Sequence, residues 1–208
     1  MAKGNSGIGE GPFGGGMTGD NASATVKSSH PLTDAISSGG GGFANEIQNT
    51  RDAFEREYGS AVTRMNLSLA TFNESGVLGA YGGDTLFMNE KYVGNANLTE
   101  AMQASVKSGF HPSIGNKTGA EAVAAHEIGH RLGEIAAQRA GISEKEIVAR
   151  AGKKVGIKTE NVAGHISGYA RSNYSETIAE ASSDVFCNGK KASKASRAIM
   201  AEVKSILG

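Results

Sequence analysis

Cys187 is the single cysteine among 208 residues. No internal disulfide can form, and zinc modules built on several cysteines are excluded, as is the Cys-x-x-Cys half of a zinc deaminase. The residue itself reads as a small, buried core side chain. Net charge is lacking too, because 21 Lys and Arg balance 21 Asp and Glu. Without a positive field there is no long-range attraction for a phosphate backbone, so no nucleic-acid partner is expected. No apolar run approaches the ~18–20 residues needed to cross a bilayer, so no membrane span is expected. Residues Met1 to Asn5 lead into glycine instead of an apolar core, which argues against a signal peptide.

Glycine is abundant: 30 residues, of which 12 fall within the first 45. That segment has few large apolar side chains to offset the entropy of ordering its backbone, so residues 1–45 are expected to form a flexible arm. No Gly-Lys-Ser/Thr follows the glycines, which argues against a phosphate-binding loop. The folded domain is expected over 46–208. Ile47, Phe54 and Tyr58 predict a helix over Ala44 to Tyr58, with Gly59 as its stop. Val62, Met65, Leu67 and Leu69 suit a strand over Ala61 to Phe72. Gly76 to Asn89 reads as a hairpin turning at Gly82-Gly83-Asp84. A helix follows over Leu98 to Ser108, capped by Asn97 or Thr99.

Beyond the turn-rich stretch Gly109 to Gly119, helices are predicted over Ala120 to Ala140, Ser143 to Val155, Tyr174 to Cys187 and Ser193 to Leu207. Gly141 marks a stop, and Ser143 with Glu146 is a capping-box signature. Strands first and helices afterwards make an α+β domain of about 160 residues, long enough to bury a real core.

The chemistry lies in Ala125-His126-Glu127-Ile128-Gly129-His130-Arg131, an H-E-x-x-H motif among good helix formers. Helical residues four apart are rotated by only about 40° and separated by about 6 Å along the axis, so His126 and His130 can share one zinc ion. Glu127 is displaced from the inner shell yet close enough to act as general base on a water there. A catalytic zinc needs a third protein ligand. The metzincin pattern fails because Ala136 stands where its third histidine belongs. Glu176, Glu180 and Asp184 share one helical face and offer carboxylates, although such a face is ordinarily a solvated one. Asp184 on that face, and His165, are among the candidates for the third ligand.

H-E-x-x-H followed some 45 residues later by Tyr169, Asn173, Glu176, Ala179 and Glu180 resembles the catalytic core of the anthrax lethal factor-like zinc peptidases, gluzincins found in toxins and phage-encoded proteins. The resemblance covers Leu78 to Asp184. It implies a zincin-like fold: a small mixed or antiparallel sheet with an edge strand over the H-E-x-x-H helix, and a mostly helical C-terminal half. His126, His130 and Glu176 would hold one Zn2+, Glu127 would be the base, and Tyr169 would stabilise the oxyanion. Glu180 and Asn173 would support the ligands from behind. Thr177-Ile178 stands where family members often carry a bulky aromatic pair, a departure expected to alter packing more than chemistry.

These residue types fit peptide hydrolysis on their own terms. Zinc polarises a carbonyl and lowers the pKa of its water from 15.7 toward about 7. Glu127 can carry the proton to the departing amine, and a neutral phenol suits a developing negative oxygen. Glu180 is placed to fix a ligand imidazole. His111 could line the cleft. Leu78, Gly79, Ala80 and Tyr81, or Leu86 to Asn89, could supply an edge strand that pairs with an extended protein or peptide substrate. The expected function is a zinc-dependent endopeptidase, located inside a cell or in a phage particle. The alternative is a non-catalytic structural or interaction protein, such as a virion component, with a zinc-stabilised fold.

Overall fold

The computed structural model describes residues 26–37, 39–74, 76–93 and 97–208. Among these residues, four strands form one mixed sheet: β1 (Val26–Pro31), β2 (Asn66–Phe72), β3 (Gly79–Gly82) and β4 (Thr85–Asn89), in the order β1-β2-β4-β3. β2 and β4 run parallel, whereas β1 with β2 and β3 with β4 are antiparallel. The chain leaves β2, crosses to the far edge as β3, and returns between them through a tight turn. Gly83 and Asp84 both adopt positive φ there, 55° and 61°, the twist that a two-residue hairpin requires.

Among the described residues, six helices exceed two turns: α1 (Gly41–Tyr58), α2 (Asn97–Lys107), α3 (Gly119–Ala140), α4 (Glu144–Lys154), α5 (Tyr174–Asn188) and α6 (Lys194–Leu207). The expected α+β class and the helical C-terminal half are therefore present. α1 buries Phe43, Ile47, Thr50, Phe54 and Tyr58, a three-to-four-residue spacing that keeps one stripe against the core. α3 is the central element, buried along most of its circumference from Gly119 to Leu132. It packs against α1, α5 and β3. Thr118 and Glu121 cap it reciprocally, and Gly141 ends it in the left-handed conformation; such caps are worth about 1 kcal/mol each. Among the described residues, no helix is long and apolar enough to cross a membrane.

Several boundaries differ from expectation. Residues 1–25 of the expected arm lie outside the described residues, and 26–45 are not an arm. β1 pairs with β2, and α1 begins at Gly41 inside the glycine run. Backbone pairing stabilises β1 even though most of its side chains are exposed. Ser60–Thr63 is a helical turn, so the strand predicted from Ala61 begins only at Asn66. Half of the Ser143 capping box forms: Ser143 Oγ accepts from the Glu146 amide, while the Glu146 carboxylate pairs with Arg150. Thr99 Oγ1 accepts from the Gly119 amide and so joins α2 to the start of α3.

Candidate metal centre

α3 and α5 approach each other closely because small residues meet at their crossing. A Cβ added at Gly129 would stand 2.6 Å from Ser182 Cβ and 2.7 Å from the Ala179 Cα. Ser182 and Ser183 donate hydroxyl hydrogen bonds to the Ala125 and Ala122 carbonyls of α3. This contact brings Glu176, near the start of α5, against the two histidines of α3. Asn173 fixes that start, its Oδ1 accepting the Glu176 amide at 2.8 Å. Its support is therefore exerted through the helix end.

His126, His130 and Glu176 are buried and place one ligand atom each within 4.8 Å of one another, a group that could hold a metal ion. Their separations are 3.2 Å from His126 Nε2 to His130 Nε2, 3.2 Å from His126 Nε2 to Glu176 Oε2, and 3.5 Å from His130 Nε2 to Glu176 Oε2. Tetrahedral bonds of 2.0–2.2 Å give ligand edges of about 3.3–3.6 Å, so the triangle has the dimensions of a metal-ion site. Glu176 Oε2 sits at these distances without an aligned donor, and Glu127 Oε2 is also buried without a hydrogen bond. Buried carboxylate oxygens left in this way are costly unless a cation faces them.

The far sides of the imidazoles are anchored. His126 Nδ1 donates to Glu180 Oε1 at 2.9 Å, and His130 Nδ1 lies 2.9 Å from Ser175 Oγ. Glu180 is 1% exposed and engaged on both oxygens: Oε1 also accepts from His111 Nδ1 at 2.9 Å, and Oε2 accepts from Ser167 Oγ at 2.6 Å. An ionised Glu180 requires hydrogen on His126 Nδ1, which leaves the Nε2 lone pair toward Glu176. Burial pushes the Glu180 carboxyl up, but His111 and His126 outweigh it and hold it at about 2. Burial likewise opposes ionisation of Glu176, yet His130 and His126 hold it well below the carboxylate range. Burial also opposes a charge on His126, but Glu176, Glu180 and Glu127 raise its pKa well above 6.5. Glu127 itself is raised by burial, partly offset by His126 and His130.

Tyr169 stacks on His126 with ring centroids 5.9 Å apart and donates its hydroxyl to Glu176 Oε1 at 3.2 Å. The two rival ligands lie elsewhere. His165 is exposed, and Asp184 accepts from the Ser193 amide and Ser196 hydroxyl, anchoring the start of α6.

Of the two candidate edge strands, β3 is the edge, while β4 is central and lacks a free side. Gly79 brings β3 onto α3: a Cβ there would stand 2.8 Å from Val123 Cγ1 and 3.4 Å from Glu127 Cγ. Leu78 to Gly82 are all buried. Tyr81 is committed to the interior, donating to Glu134 and accepting from Arg131, which also binds Asp84 in the hairpin turn.

Sequence reasoning did not assign Ser167, Ser175 or Gly129 to the site. Ser167 and Ser175 flank residues of the second motif, and Gly129 lies inside the first, so adjacency was the available signal. His111, expected to line the cleft, does so and also binds Glu180. No protein-family model, curated protein or solved structure matches the chain.

Proposed function

We propose that the protein is a zinc-dependent peptidase of the gluzincin type. The observation that carries this reading is the convergence of His126, His130 and Glu176 beside a buried Glu127 whose Oε2 accepts no hydrogen bond. Two imidazoles and one carboxylate suit zinc and leave a fourth position open, as a catalytic site requires. Zinc held there would polarise a carbonyl and make water acidic enough to react at neutral pH. Glu127, with a pKa lifted by burial, takes the proton of the attacking water and passes it to the amine as the peptide bond breaks. The Tyr169 hydroxyl turns from Glu176 to donate to the carbonyl oxygen as negative charge develops. Glu180 and Ser175 hold the imidazoles in place throughout.

The test is Glu127→Gln, compared with the parent in a peptide-library digest and by metal analysis. Hydrolysis is expected to disappear while one zinc per chain remains. A variant that cleaves as fast as the parent overturns the mechanism. The depth of the trio favours a second reading, a zinc-stabilised structural or interaction protein, since His130 and Glu176 are only 3% and 1% exposed. A parent that holds zinc but cleaves no library peptide supports that reading.

A further inference from the structure

A cavity of about 30 Å3 lies beside the reactive groups, lined by His126, Glu127 and Tyr169 together with the apolar Leu78, Met102 and Val123. Its apolar walls come from three places: the residue before β3, the middle of α2, and α3 one turn ahead of His126. Each of these side chains is buried, so the walls are backed by the core. The volume accommodates about two water molecules. Ala122 and Ser183 close it further, and Ser183 directs its hydroxyl to the Ala122 carbonyl.

We propose that this cavity receives the side chain of the substrate residue following the scissile bond, and that it selects peptides with alanine or a similarly small apolar residue there. The inference rests on the peptidase reading and deepens it. Glu127 must reach the nitrogen released when the bond breaks, and the side chain of the residue carrying that nitrogen is attached one atom further on. A cavity walled by Glu127 is therefore within its reach. A methyl group fits the space. Leucine or phenylalanine would have to displace Met102 from a packed core, and overpacking of that kind is strongly disfavoured. A charged side chain would be desolvated against Leu78, Met102 and Val123, which offer no hydrogen bond. The Glu180 carboxylate, which also lines the cavity, already accepts from His126, His111 and Ser167 and would repel an acidic side chain.

The experiment measures kcat/KM of the zinc-loaded full chain on peptides of one sequence carrying Ala, Leu, Phe or Asp after the scissile bond. Alanine is expected to be preferred to leucine by about tenfold or more, the scale on which apolar pockets discriminate. Met102→Ala should reduce that ratio about tenfold or reverse it. Val123→Ala enlarges the cavity from the α3 side and serves if Met102→Ala does not fold. Equal rates for Ala and Leu in the parent, or an unchanged ratio in a folded enlarged variant, overturn the proposal. If no peptide is cleaved, zinc-binding dipeptide hydroxamates with a methyl or an isobutyl side chain are compared by calorimetry. A methyl preference erased by the enlarged cavity upholds the pocket and overturns the peptidase reading, whereas equal or absent binding overturns the pocket.

Discussion

Gly129→Ala sets two physical effects against each other at the helix crossing that builds the site. By helix propensity alone, alanine inside α3 should stabilise the protein by about 0.8–1.0 kcal/mol. The added methyl, however, would meet Ser182 Cβ at 2.6 Å and Ala179 Cα at 2.7 Å. Both lie about 1 Å inside the ~3.5–4.0 Å optimum for carbon contacts. Neither obstacle is the end of a flexible side chain, so α5 must retreat or rotate. Such overpacking costs about 1–3 kcal/mol, leaving a net destabilisation of up to about 2 kcal/mol after propensity is credited. Metal binding should suffer more. Glu176 is three residues before Ala179 on the helix that moves, and a zinc–oxygen bond tolerates only about 0.2 Å. A retreat on the order of 1 Å should weaken zinc binding about 100-fold or more, since disturbing even the partners behind the ligands costs about 10–100-fold. Chelator competition and urea unfolding of the metal-free forms provide the two readings. A Gly129→Ala protein that is about 1 kcal/mol more stable than the parent and binds zinc equally well would refute the close-packing argument.

The other sites make separate predictions. Glu180→Ala removes the acceptor of both His126 and His111 and should weaken zinc binding about 10–100-fold in the same chelator assay; unchanged affinity would contradict the anchoring role. Tyr169→Phe should retain zinc while peptide hydrolysis falls about 10²–10³-fold, the usual loss for an oxyanion donor; an unaltered kcat would remove Tyr169 from the chemistry. In the metal-free protein, Glu180 is depressed from 4.5 to about 2, so its contribution to stability is present above 4.5 and lost as pH falls toward 2. Melting temperatures over that interval should fall more steeply for the parent than for Glu180→Ala. His126 has the opposite sign: its raised pKa gives a contribution that is complete below 6.5 and lost as pH rises through the raised value. Zinc binding should strengthen over that same rise, because the metal no longer displaces a proton from His126; affinity constant with pH would argue against this imidazole as a ligand.

The parts of the fold legible in the sequence are those where local chemistry and burial agree. Thr118-to-Gly141 carries its own stop and a long run of small and aliphatic residues, and α3 occupies it almost entirely. The Gly82-Gly83-Asp84 hairpin was legible because few other residues accept positive φ at two adjacent positions. β1 was not, since most of its side chains face outward and its stabilisation comes from backbone pairing with a strand some 40 residues away. The start of α1 was hidden for a related reason. Glycine has poor helix propensity, yet Phe43, Ile47 and Phe54 are buried on one stripe, and that tertiary packing extends the helix back through Gly41.

The candidate site shows why a motif gives identities more readily than surroundings. Glu176, Glu180 and Asp184 follow a period of four, and in isolation that period describes a solvated acidic face. All three are buried, an arrangement tolerated only because each carboxylate finds counterparts on another segment. Glu176 meets the two α3 imidazoles, Glu180 meets His126, His111 and Ser167, and Asp184 meets the start of α6. One helical face thus performs three tasks, determined by what lies opposite each residue. Spacing along α5 could align the carboxylates but could not reveal their partners. The close approach at Gly129 brings α5 onto the imidazoles, so a glycine between the two histidines controls whether the distant carboxylate reaches them.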